Sequence, residues 1–127
     1  MTTPADRRYT ESHEWIKDEG GGLYTLGVTQ FAVNELTDIT YVQMKNSGTK
    51  IAAGGTVGEI ESVKATSDIY SPLGGEIIEV NKSLSDDPGQ VNKDPYGAGW
   101  LVKIRASDAG PLAGLMDAAA YQSAHGA

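Results

Sequence analysis

Lys64 is the residue whose type and setting best support chemistry. It lies in Gly58-Glu59-Ile60-Glu61-Ser62-Val63-Lys64-Ala65-Thr66-Ser67-Asp68-Ile69-Tyr70, where two strand-like runs flank a short turn. Glu61 precedes it by three residues, Val63 and Ala65 flank it with small apolar side chains, and Gly75 follows eleven residues on. A hairpin is rigid at its base, and lysine has a long flexible stem. Together they make a swinging arm, with the amine as the handle for an attached group. The plainer reading is a solvated surface lysine, which is what most hairpin lysines are. The context of Lys64 decides between the two.

Little else in the chain competes for a chemical role. There is no cysteine, so no disulfide, thiolate nucleophile or zinc-thiolate site exists, and any sulfur chemistry must come from an added group. His13 and His125 are too few and too far apart in sequence to suggest a metal site. No Ser/His/Asp set or phosphate loop stands out. Ser85-Asp86-Asp87 reads as a solvated loop, since a calcium loop needs more oxygen ligands in register. The net charge is −7 and the pI about 4.6. That argues against nucleic acid and anionic membrane as partners and suits docking onto basic protein surfaces. No stretch approaches a membrane span. Met1 to Arg8 lacks the apolar run of a signal peptide, which points to a cytoplasmic protein or a mature one, the bacterial cytoplasm being the simpler expectation.

The elements that must position Lys64 follow from the pattern. At 127 residues the chain has the size of one domain, 1–127. Its 16 glycines fall between short apolar runs. Strands are predicted over Leu23 to Val28, Ile39 to Met44, Val57 to Glu61, Glu76 to Val80 and Trp100 to Ile104. Trp100, Val102 and Ile104 give a period-2 face with Lys103 opposite. Many short strands joined by Gly-rich turns indicate a sandwich or small barrel. A helix is predicted near 29–36, with Thr29 as N-cap and Val28 and Val33 as a hydrophobic staple. One or two more are predicted at 111–122, opened by Pro111 and running through Leu112, Leu115, Met116 and Ala119 to Tyr121. Ser123 to Ala127 are expected to fray. Lys50 to Ile60 loosely echoes Gln90 to Ile104, which suggests two similar halves about a pseudo-two-fold. Gly75 reads as a structural glycine, and Trp15 and Trp100 as packing residues.

Glu61-Ser62-Val63-Lys64-Ala65-Thr66-Ser67-Asp68, followed by Tyr70-Ser71-Pro72 and Gly75-Glu76, resembles the attachment site of lipoyl-carrier domains. It most resembles that of the glycine cleavage system H-proteins. The likeness extends to Ser12-His13-Glu14-Trp15, Gly27 to Ala32, Asp94-Pro95-Tyr96-Gly97 and Gly99-Trp100-Leu101, nearly the whole chain. There are departures. The family usually has Thr-Asp-Tyr or Thr-Asp-His at Thr29-Gln30-Phe31, and Leu-Gly-Asp or Leu-Gly-Glu at Leu36-Thr37-Asp38. These are expected to lie away from the lysine and to bear on partner docking.

The resemblance implies a hybrid barrel-sandwich of two antiparallel sheets, mainly β, with a lipoyl hairpin at about 57–80. It implies lipoic acid in amide linkage to Lys64 and a carrier that is not itself an enzyme. The partners implied are the pyridoxal-phosphate glycine decarboxylase, the tetrahydrofolate-dependent aminomethyltransferase, the flavin dihydrolipoamide dehydrogenase and the enzymes that attach lipoate. Ser12, Glu14 and Asp68 become candidates to line a cleft for the loaded arm. Read without the resemblance, Ser12 and Glu14 are strand-edge surface, and Asp68 is a turn residue bonded to its own backbone. Glu61 is either an exposed strand carboxylate or a mark recognised by the lipoylating ligase.

Three carriers compete. A biotin carrier would place Met on both sides of the lysine, where this chain has Val63 and Ala65. A 2-oxoacid dehydrogenase lipoyl domain would have Asp before the lysine and would be shorter. An H-like relay donating lipoyl groups to other acceptors would keep the same residues. Outside the carriers stand an independent enzyme and an unmodified interaction module.

Overall fold

The computed structural model describes residues 3–106 and 108–125. Two antiparallel sheets face each other across one apolar core. The larger has six strands in the order β1-β2-β3-β9-β8-β5: β1 (Arg8–Tyr9), β2 (Glu14–Gly20), β3 (Leu23–Val28), β9 (Val102–Arg105), β8 (Gly75–Val80) and β5 (Lys50–Ile51). The smaller has three, in the order β4 (Ile39–Met44), β6 (Thr56–Ser62) and β7 (Thr66–Tyr70). Four helices, α1 (Gln30–Leu36), α2 (Ser83–Asp86), α3 (Gln90–Lys93) and α4 (Ala118–His125), and a 3₁₀ turn at Gly110–Gly114 close the ends. The mainly β barrel-sandwich expectation holds.

The core follows from alternation. In β9, Val102 and Ile104 are fully buried while Lys103 and Arg105 point out. Ile60 and Ile69 of the small sheet meet Leu26, Ile77 and Ile104 of the large one in a single cluster. A second cluster of Tyr9, Trp15 and Tyr121 lies at one end, with Phe31, Tyr96 and Trp100 against it. Trp15 also donates its ring N–H to the Pro95 carbonyl at 3.0 Å. Gly27 has no room for a side chain, because a Cβ there would lie 2.5 Å from the Trp15 ring.

The five strand expectations all fall on strands, although the last begins at Val102. Trp100 and Gly99 are held in a turn instead, with the Gly99 N–H on the Asp94 carbonyl and the Trp100 N–H on that of Gly97. β2 was not legible, because Glu14, Trp15 and Ile16 are all buried in succession and give no period. The helix from Pro111 to Tyr121 is two pieces. After the 3₁₀ turn the chain becomes extended, and Met116 bridges to Tyr9 before α4 starts. Ser123 to His125 are helical rather than frayed, since His125 packs on His13, Phe31 and Tyr121; residues 126–127 lie outside the described ones. The pseudo-two-fold echo does not carry over. Lys50–Ile51 is a strand, whereas Gln90–Lys93 is helical, and the strands that follow belong to different sheets. The Ser85-Asp86-Asp87 segment contains a helical turn, and its side chains are exposed.

Candidate functional site

Lys64 stands exposed at the tip of the β6–β7 hairpin, beside Val63, which is 67% exposed. The turn is built by Ser62. Its hydroxyl accepts the N–H groups of Lys64 (3.1 Å) and Ala65 (3.0 Å), and its own N–H donates to the Ala65 carbonyl at 2.8 Å. Serine at the head of a four-residue turn does this commonly, so the signal was present in the sequence but not read there. Below the turn, Glu61 pairs with Thr66, and Ile60 and Ile69 are anchored in the core. The amine therefore stands at the end of a long stem on a fixed platform. Its contact, 3.4 Å to the Glu35 carbonyl, is long for a hydrogen bond. Glu35 lies in the last turn of α1, whose carbonyl end favours a cation.

The hairpin runs from Thr56 to Tyr70, not to residue 80. Ser71 is buried, its hydroxyl donates to the Leu73 carbonyl at 2.6 Å, and Leu73 is fully buried. Pro72 offers no N–H to continue the ladder. The chain thus crosses to the opposite sheet, where β8 begins at Gly75. A Cβ at Gly75 would strike the Arg105 carbonyl oxygen, so this glycine is required by close approach to β9.

Ser12 and Glu14 come together. Ser12 sits in the exposed loop between β1 and β2, and its hydroxyl donates to Glu14 Oε1 at 2.6 Å. Thr10 Oγ1 donates to the same oxygen at 2.6 Å. Glu14 is 1% exposed, so it is no edge surface residue. Its Oε2 accepts the Tyr70 N–H at 3.2 Å and so covers the edge of β7. Burial pushes the Glu14 carboxyl above the ordinary carboxylate value, against the opposing pull of the Ser12, Thr10 and Tyr70 donors.

Asp68 is exposed on β7, directly opposite Glu59 of β6. It is a strand residue, not a turn residue. Both carboxylates line a shallow cleft of about 340 Å³ with Gln43, Met44, Lys45 and Thr56. Like charges opposite one another repel, which suits this pair to a cationic group. Neither Ser12 nor Glu14 lines that cleft. Glu14 reaches the hairpin at Tyr70, six residues from Lys64 and thus about 20 Å along an extended strand. Glu61 is half-buried, between Tyr41 and Thr66 in the sheet, and its carbonyl accepts the Thr40 hydroxyl at 3.3 Å.

The segment around Thr37 is not away from the lysine. Besides the Glu35 contact, the Val63 N–H donates to the Asp38 carbonyl at 3.0 Å. Thr37 has φ 63° and ψ −136°, a conformation natural to glycine. At the other end of α1, the Thr29 hydroxyl caps the Ala32 N–H at 3.2 Å, as predicted, and also bonds the Tyr121 hydroxyl at 2.7 Å. Val28 and Val33 are both buried in the same core. His13, at φ 72°, places Nδ1 2.8 Å from the Tyr121 hydroxyl and packs against Phe31 and His125. It is a structural histidine in an aromatic cluster. Burial, then the neighbouring His125, holds it below the ordinary histidine value, while Glu35 pulls the other way. Among the described residues no cluster of three or more His, Asp or Glu could hold a metal ion, and no helix is long and apolar enough to cross a membrane.

Fold and site together define a class: a small two-sheet β carrier presenting one free lysine at a hairpin tip. Residues 7–126 match the family model described as Glycine cleavage H-protein. The chain is 52% identical over 123 residues to the glycine cleavage system H protein of Chlorobium limicola, covering 96% of each. It is 47% identical over 120 residues to that of an Escherichia coli strain, covering 94% of this chain and 93% of the relative. The crystal structure of a glycine cleavage system H protein from Mycobacterium marinum superposes with a TM-score of 0.89 at 40% identity, over 98% of this chain and 99% of that one. The chain belongs to the glycine cleavage H-protein family, the non-catalytic lipoyl carriers of the glycine cleavage system.

Proposed function

We propose that Lys64 is the lipoyl attachment site and that this chain, as one domain, carries aminomethyl groups released from glycine. The observation that carries the reading is the free amine on a hairpin turn tied by Ser62, where a flexible arm would be joined without disturbing the core. The residues present fit the group, because among the described residues the amine meets nothing closer than a distant carbonyl. Amide-linked lipoic acid would supply the sulfur that this chain lacks and a reversible dithiol couple. Lys64 itself contributes reach, Ser62 fixes the stem, and the carboxylates of exposed Asp68 and half-buried Glu59 offer an amine-binding surface along the hairpin.

Ser12 and Glu14 act further down β7. Glu14 is buried, with Oε1 engaged by two hydroxyls and Oε2 by the Tyr70 N–H, so a role at the far end of the arm's sweep requires the loaded group to displace part of this cover and take up the acceptor capacity left on Oε2. Glu61 serves as a recognition mark for the attaching ligase, held at a fixed offset from the turn by its place in the ladder. The partners that follow are the decarboxylase, the aminomethyltransferase, dihydrolipoamide dehydrogenase and the lipoate-attaching enzymes. Their basic surfaces would meet a chain of net charge −7. The bacterial relatives favour the cytoplasm as the setting.

The test is exchange of the glycine carboxyl carbon with bicarbonate by purified decarboxylase. Lipoylated wild type should support exchange, and Lys64→Arg, which keeps charge and bulk but cannot form the amide, should fold normally and support none. Exchange with Lys64→Arg equal to wild type would overturn the assignment. A lipoylated wild type that donates its lipoyl group to other acceptors but supports no exchange would favour the relay reading.

A further inference from the structure

Beyond the ladders that pair β6 with β4 and β7, the Lys64 turn is tied, among the described residues, by two hydrogen bonds and one longer polar contact, and all three end in one short run. Val63 N–H meets the Asp38 carbonyl at 3.0 Å, the Thr40 hydroxyl meets the Glu61 carbonyl at 3.3 Å, and Lys64 Nζ lies 3.4 Å from the Glu35 carbonyl. The placement of the tip is therefore the placement of residues 35–40. That run does not hold itself. Thr37, a β-branched residue, sits at φ 63° and ψ −136°, where the surroundings must over-determine the backbone.

One side chain from elsewhere supplies the constraint. Asn92 of α3 donates Nδ2–H to the Thr37 carbonyl at 2.7 Å and accepts the Ile39 N–H on Oδ1 at 3.0 Å. It thereby clasps Asp38 from both sides. Ile39 is 5% exposed, and Asn92 supplies its part-buried N–H with a partner. A compact side chain that both donates and accepts at a planar amide is what this clasp needs. Asn92 is in turn fixed by its neighbour Val91, fully buried in the core, and by the packing of α3 on α1.

We propose that Asn92 is a positioning residue for Lys64. It never touches the lysine. It locks the Thr37–Ile39 connection on which the turn rests, and so sets where the amine points when an acylating enzyme approaches. This rests on Lys64 being the acylated residue.

Two readouts test it on the full chain: hydrogen exchange of the Val63 amide in the unmodified protein, and steady-state lipoylation by a lipoate–protein ligase followed by intact mass. The variants are Asn92→Ala and Asn92→Asp, the latter keeping the acceptor for Ile39 while setting a carboxylate oxygen against the Thr37 carbonyl. In both, Val63 exchange should rise about fivefold or more while amides of β3 and β9 keep their wild-type rates. The KM for the protein substrate should rise by about threefold to tenfold with kcat held within about twofold. Wild-type Val63 exchange, an unchanged KM, or an equal rise at every amide would overturn the proposal. If Asn92→Ala does not fold, Asn92→Asp decides alone. Failure of wild type to gain lipoyl mass would strike the attachment reading instead, and the exchange data would still stand.

Discussion

His13 and Glu14 are neighbours in sequence and respond to acid in opposite directions. His13 is held below its ordinary value of 6.5 by burial and by His125, so the native state resists taking up its proton. Its contribution to stability is complete above about pH 6.5 and is lost as the pH falls through the depressed native value. Glu14 is raised above 4.5 by burial, so the native state takes up its proton more readily than the unfolded chain. Its contribution is present at low pH and lost as the pH rises through the raised value. We expect the urea midpoint of the wild type to drop between pH 7 and 5, and His13→Asn to drop less. Asparagine suits the positive φ of this position, so the variant should fold. An equal drop in both proteins would remove His13 from the account.

At the scale of elements, α1 is held at both ends. Tyr121 and Tyr96 bond its first turn, through the Thr29 hydroxyl at 2.7 Å and the Gln30 N–H at 3.0 Å, and Asn92 clasps the chain just past its last residue. Thr37 is the strained point in this arrangement. A non-glycine residue in such a conformation costs about 1–3 kcal/mol, whereas glycine adds about 0.5–1 kcal/mol of unfolded-state entropy. Thr37→Gly should therefore stabilise the protein by about 1 kcal/mol in urea unfolding. A loss of stability would mean that Thr37 is not strained as its backbone angles indicate. The sequence showed this region's helix and its Thr29 cap because capping is local. The clasp was not legible, since Asn92 is 53 residues from Ile39 and no local pattern links them. The buried Glu14 was equally hidden, because its stability depends on a β7 edge that only the assembled sheets create.

Across the whole molecule, the strands set between glycine-containing turns were legible in the sequence, including β3, which is buried almost throughout, whereas the two-residue strands β1 and β5 and the start of β2, with three buried residues in succession, were not. Lys64 was legible because its chemistry depends on exposure at a local turn. The cleft was legible only as a set of residue types. The structure joins Ser12 to Glu14 but puts Asp68 with Glu59 in a separate groove. The six-stranded sheet serves as a rigid wall, the three-stranded sheet carries the hairpin outward, and α1 props the tip. The central claim is that this scaffold exists to present one amine for lipoylation. Intact mass after incubation with lipoate, ATP and a lipoate–protein ligase tests it most directly. Wild type should gain one lipoyl group, recovered on the peptide containing Lys64, and Lys64→Arg should gain none. A wild type that stays unmodified, or a Lys64→Arg chain that still gains the lipoyl mass, would contradict the account.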